Sequence, residues 1–182
     1  MKKSAIGALA GGIILFVWQT LSNTALDLHR SSTQYTPKQD TIMRMLNTQL
    51  HEDARYFMPT LPEGASREDY KRLQKSATGK PWAIISYHNS MDTNMPMSMV
   101  RTLLADIAVV WLLLWILLKI PNPKFAIIFI ATLITGLIVF LNGLYTQYIW
   151  YKEAGIFAHF IDALASWGLC GLWLGKWLKV QG

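Results

Sequence analysis

His159 and Asp162 stand three residues apart inside a long apolar run, a spacing that puts an imidazole and a carboxylate on one face of a helix. Asp106 lies inside a second apolar run, too far from Arg101 to form an i,i+4 pair, and Asn142 lies toward the end of a third. An ionised side chain in hydrocarbon costs about 2.5–3.5 kcal/mol even on insertion scales, so such groups face a bundle interior and find partners there. The expected pairs are Asp106 with His159, or Asp162 with Arg101. Arg101, Asp106, Asn142, His159 and Asp162 therefore form a candidate intramembrane polar cluster in the outer part of a helix bundle. Two roles suit it. One is a proton- or ion-binding cavity opening outward, with His159 titrating near neutral pH. The other is a hydrogen-bonded cluster that fixes helix register, which is favoured because groups close to an interface can snorkel to water. The inner two-thirds of each apolar run is almost uniformly apolar, which excludes a continuous polar pore.

A second group of residues has a metal's chemistry. His88, Met91, Met95, Met97 and Met99 place one imidazole and four thioethers within twelve residues, and thioethers select Cu(I). The competing use of such methionines is as adaptable cover for irregular apolar surface, so this is a weak metal candidate. No other cofactor is expected. A b-type haem wants axial histidines on facing helices, and His159 is the one histidine in the apolar runs. There is no HExxH, P-loop, GxSxG or glycine-rich dinucleotide turn. His29, His51 and His88 read as surface side chains among polar neighbours. The single cysteine, Cys170, excludes an intramolecular disulfide and any paired-thiol redox chemistry.

The elements that must position these residues are four apolar stretches of about the length that crosses a bilayer, at roughly Ala5–Leu26, Thr102–Ile120, Phe125–Tyr145 and Phe157–Trp177. The fold class is an all-α integral membrane protein with four transmembrane helices and a small α-rich extracytoplasmic insert between the first two. Its parts are residues 1–26, the first span; 27–100, the insert; and 101–182, the other three spans. Lys2, Lys3, Lys119, Lys124, Lys176 and Lys179 all fall on one side after four crossings, and the positive-inside rule makes that side, with both termini, cytoplasmic. The membrane is expected to be a bacterial inner (plasma) membrane. These lysines explain much of the net charge of +6, so nucleic acid is not an expected partner. A cleaved signal peptide is the alternative for the first span, but the residues around Leu21–Ala25 lack a small-x-small cleavage site.

In the insert, Thr36 as N-cap, Pro37 at the first helical position and Gln39 in a capping box predict a helix over 37–51. Tyr56–Pro62 is expected to be extended, Ser66 to start a shorter helix ending near Gly79, and Trp82–Tyr87 to be a strand or membrane-facing chain. So small a unit is expected to dock on the helix ends or on a partner. Gly7 and Gly11 in the first span and Gly171 and Gly175 in the fourth are candidate helix-packing positions, placing those two helices in contact at their cytoplasmic ends. The layout is similar in outline to claudin-like tetraspans. This chain lacks their extracellular cysteines, so nothing carries over.

These readings favour a non-enzymatic accessory or interaction subunit of a membrane complex, with the lipid bilayer and a protein partner or second copy as its contacts. The alternative is a small proton- or ion-coupled transporter or sensor using the Asp/His cluster. Extracytoplasmic Cu(I) handling is third.

Overall fold

The computed structural model describes residues 2–91 and 94–179; the side chains of Lys2, Lys3 and Lys179, used above to orient the spans, lie outside what is described. In chain order the elements are α1 (Lys2–Thr24), α2 (Gln39–Gln49), β1 (Ala54–Met58), α3 (Arg67–Ala77), β2 (Ala83–Tyr87), α4 (Met95–Leu117), α5 (Phe125–Val139), α6 (Thr146–Tyr151) and α7 (Ile156–Lys179). A single 3-10 turn, Arg30–Ser32, follows α1, and a π-helical segment, Phe140–Tyr145, joins α5 to α6 without a break. Four helices are long and apolar enough to cross a membrane: Ser4–Thr24, Met95–Leu117, Phe125–Tyr151 and Ile156–Leu178.

These helices are apolar nearly all round, the pattern of a span with protein on one side and lipid on the other. Between 22 % and 28 % of each is buried within the chain, so most of the apolar surface, including Ile6, Leu9 and Ile13 on α1 and Ile127, Ile130 and Ile134 on α5, faces outward. That character fits a lipid-embedded, multi-pass helical bundle. α4 begins seven residues before the expected Thr102, because the Asn94 side chain accepts the Met97 backbone N–H at 3.2 Å and Pro96 suits the first turn. The third span runs six residues past Tyr145, since the π segment absorbs an extra residue and the Thr146 hydroxyl donates to Leu141 O, five residues back, at 2.9 Å.

The chain divides into two compact units, Met1–Gln34 with Asn94–Gly182, and Tyr35–Thr93. In the first unit α1 packs against α4 and α7, and α5 packs against α7, all antiparallel. Ala8, Leu15, Val110, Leu114, Ile128, Cys170 and Leu174 fill the interior. Lipid tails are as apolar as leucine, so close packing rather than hydrophobic exclusion must hold such helices together, and small residues permit it. A Cβ on Gly7 would meet Leu114 and one on Gly11 would meet Val110 and Cys170, which brings α1 against both α4 and α7. Gly171 and Gly175 face elsewhere, toward Thr132, Phe129 and Phe125 of α5. The first and fourth spans do touch, but through one glycine pair rather than two facing pairs. Among the described glycines, Gly12 comes closest to the backbone of another helix, since a Cβ there would lie 2.7 Å from the Ile107 backbone.

The second unit adds a two-stranded pairing to its two helices, where an α-rich insert was expected. β1 and β2 pair antiparallel with Ala54 opposite Tyr87 and Met58 opposite Ala83, and α3 lies in the connection between them. The expected strand at Trp82–Tyr87 is found, together with its partner. Ser66 caps α3 in a reciprocal capping box with Asp69, as its position suggested. α2 starts at Gln39, two residues later than expected, because the Thr36 hydroxyl accepts the Lys38 N–H at 3.3 Å in a local turn instead of capping a helix. At the open end of the hairpin Asp53 accepts the Asn89 backbone N–H at 2.9 Å and lies 3.6 Å from His88 Nδ1. This holds the Asp53 carboxyl below its usual range, chiefly through the Asn89 N–H.

Candidate functional site

Asp162 is the hub of the polar groups within the bundle. One of its oxygens, Oδ1, accepts the indole N–H of Trp18 at 2.9 Å and the hydroxyl of Ser22 at 2.6 Å, both from α1. Its other oxygen, Oδ2, lies 2.6 Å from Nε2 of His29. Trp18 and Ser22 are four apart on one α1 face, so the face that packs on α7 carries both donors. Ser22 is fully buried, and His29 and Asp162 retain side-chain exposures of 14 % and 17 %. Both carboxylate oxygens thus have defined partners, which sets the orientation of the group.

His29 reaches this position because α1 unwinds in a controlled way. Ala25 and Leu26 donate their N–H groups to Leu21 O at 2.9 Å, and Leu28 donates to Ser22 O at 3.2 Å. Asp27 between them is left-handed, with φ 53°, a conformation Asp tolerates better than most residues. The chain then turns back over the end of the bundle into the 3-10 turn. There Ser32 abuts Gly155, whose own φ of 84° suits glycine and whose missing Cβ leaves room for the Ser32 hydroxyl.

His159, one turn before Asp162 on α7, brings a second imidazole. Its ring centroid is 4.6 Å from that of His29, tilted by 52°. One ligand-capable atom from each of His29, His159 and Asp162 lies within 4.8 Å of the others. The three side chains border a cavity of about 270 Å³ that Gln19, Asn23, Phe140 and Trp167 also line. Phe140 opens the π segment, and π-helical turns inside α-helices recur at functional sites. Two imidazoles and a carboxylate converging on a cavity have the donor set of a cation site.

Deeper in the bundle, Asp106 is buried on α4, and its Oδ1 accepts from Gln19 Nε2 at 3.2 Å. Its Oδ2 is buried with no hydrogen-bond partner. Gln19 lines the cavity and also bonds Asp106, which places Asp106 next to the cavity wall. The depth follows from register: Ile107 is level with Gly12, whereas Asp162 is level with Trp18 and Ser22.

Of the cluster residues named from sequence, His159 and Asp162 come together at the cavity, and Asp106 bonds Gln19, which lines the same cavity. Arg101 and Asn142 are exposed and do not line the cavity. The expected pairings are replaced: Asp162 takes His29, Ser22 and Trp18, and Asp106 takes Gln19. His29 is the residue the sequence reading missed, and with it Trp18 and Ser22. A hydroxyl and an indole on one helix face, followed by a histidine just past the helix end, were the available signal.

Among the described residues the methionine run makes no evident site. Met95, Met97 and Met99 fall in the first turns of α4, where residues two apart point to nearly opposite sides, so Met97 diverges from the other two. All three are exposed, as is Met91, and His88 turns to Asp53 and Ser86. The chain matches no protein-family model, no curated protein and no solved structure.

Proposed function

We propose that this chain is a small ion-coupled membrane transporter or ion sensor that receives a cation at the site formed by His29, His159 and Asp162. The observation that carries the reading is the convergence of three donor side chains, from α7 and from the turn after α1, on one cavity in an otherwise apolar bundle. An ionisable group that faces the interior of a membrane bundle is a functional-site candidate by default. Asp106, with an unpaired buried oxygen beyond Gln19, supplies a second carboxylate along the same route. The role is one of binding and response, not turnover.

In this reading the cavity end of the bundle and the insert are extracytoplasmic, the Lys119–Lys124 turn is cytoplasmic, and the membrane is a bacterial inner membrane. The lysine bias supports that orientation. The test is cation flux in proteoliposomes, or a cation-dependent conformational signal, in the wild type and in His159→Ala, Asp162→Asn and Asp106→Asn. Loss of the response in the variants is expected. Unchanged flux and signal in all three would remove the reading.

A role as accessory subunit is the second reading, favoured by the unit Tyr35–Thr93, whose helices α2 and α3 bury no residue of their own. Ile42, Met43, Met45 and Tyr70 on those helices are exposed apolar side chains suited to a protein partner. Native mass spectrometry of the protein drawn gently from its own membrane tests it: a stoichiometric complex supports it, and a lone monomer counts against it.

A further inference from the structure

We infer that the cation bound by His29, His159 and Asp162 is a divalent transition metal of the zinc class, held by two imidazoles and one carboxylate with a fourth position open to the cavity. The inference rests on the cation-site reading above and names its ligand.

The donor set discriminates between cations. Sodium, potassium, magnesium and calcium are hard ions that take oxygen ligands, whereas imidazole nitrogen suits zinc and its first-row neighbours. Two of the three donors here are imidazoles. Two histidines and one carboxylate, plus one position left open, make the arrangement of reactive or exchangeable zinc sites, in contrast to closed structural ones. The cavity of about 270 Å³ beside the cluster supplies the space for that open position.

The surroundings of Asp162 are those of a metal ligand held by outer donors. Trp18 and Ser22 both bond Oδ1, which leaves Oδ2 as the oxygen turned toward His29. Outer-shell donors of this kind orient ligating carboxylates and tune affinity. With metal bonds of about 2.0–2.2 Å, tetrahedral ligand atoms sit about 3.3 Å apart. Here the corresponding atoms lie within 4.8 Å of one another and His29 Nε2 is 2.6 Å from Asp162 Oδ2, so side-chain rotations that part this pair and draw in His159 would bring the three donors to metal-binding separation.

A purely structural tie accounts for less of this. The contact between His29 and Asp162 would by itself secure the end of α1 to α7. It does not require a second imidazole whose ring centroid lies 4.6 Å away.

The experiment uses the full chain purified in detergent and stripped with a chelator. Zn²⁺ is titrated by calorimetry, and Co²⁺ is titrated in parallel for its visible spectrum. One Zn²⁺ per chain is expected, with four-coordinate Co²⁺ bands. Asp162→Ala and His159→Ala should each lower Zn²⁺ affinity by about 100-fold or more, and Trp18→Phe, which removes only an outer donor, by about 10-fold with the Co²⁺ band pattern kept. His159→Cys guards against loss of fold: it retains a metal donor and should add a sulfur-to-cobalt charge-transfer band. Absence of Zn²⁺ binding by the wild type, or equal binding by every variant, overturns the assignment. If Zn²⁺ fails to bind while another cation still drives flux through His159 and Asp162, the metal assignment falls and the ion reading stands. If Zn²⁺ binds through these residues while flux and signal are unchanged in their variants, the metal site stands and the transport or sensing role falls.

Discussion

Asp53 and Asp162 are both tied by hydrogen bonds, but the ties act on different properties of the chain. Asp53 is at the surface of the hairpin, and the Asn89 N–H lowers its pKa in the folded state, with His88 adding to the effect. A carboxyl whose folded pKa lies below its unfolded value of about 3.9 contributes stability that is complete above that value. The contribution disappears as pH falls through the lower, folded value. The Asn89 amide resonance should therefore titrate with a midpoint below the ordinary carboxylate range, and the hairpin should loosen with it. Asp53→Asn should abolish that titration; an Asn89 shift that persists in the variant would show that another group governs it. Asp162, by contrast, is held by side chains 133 to 144 residues away in sequence, so it links elements rather than closing one. Its place beside His159 was legible from the i,i+3 spacing. Its partners were not, because histidine, serine and tryptophan near a helix end have many ordinary uses and nothing local distinguishes this one.

At the scale of elements, the helices meet through backbone proximity at small residues. Gly12→Ala places a Cβ against the Ile107 backbone, which cannot rotate away as a side chain would, so α1 and α4 must separate. Overpacking of this kind typically destabilises by about 1–3 kcal/mol. Gly168→Ala is the matched control, since its Cβ would meet only Leu133 at an ordinary 3.7 Å and alanine favours the helix by about 0.5–1 kcal/mol. Thermal unfolding of the detergent-solubilised protein should thus fall for Gly12→Ala and hold or rise for Gly168→Ala. The reverse order would mean that α1 and α4 are not closely packed. Gly7 and Gly11 lie where α1 meets Leu114, Val110 and Cys170, and their GxxxG spacing could not say which helix lies opposite. The same spacing in Gly171 and Gly175 serves a different neighbour.

At the scale of the whole molecule, the two units differ in how they are supported. The four-helix unit has a contiguous interior and a wide apolar exterior that lipid can cover. In Tyr35–Thr93, Tyr87 is the one buried hydrophobic side chain among the described residues, its hydroxyl donating to Asn47 at 2.9 Å. Units of about 60 residues are marginal even with a good core. The excised segment 35–93 should therefore give a weak, non-cooperative helical melt by circular dichroism. A sharp transition would show instead that the unit is self-sufficient, and would weaken the case that a partner covers it.

Sequence alone determined the number of long apolar helices, because in hydrocarbon every backbone polar group must be satisfied within the segment and only an uninterrupted apolar helix does so. It also determined the α3 start, since the Ser66–Asp69 box is local, and the shared face of His159 and Asp162, since helical periodicity is local too. The tertiary structure alone decided which helices are neighbours, because helices that are apolar all round carry no stripe that names a partner. It alone brought His29 from the turn after α1 to Asp162 on α7, because that meeting depends on how α1 ends and on which face of α7 it packs against. The candidate site exists only once both are settled.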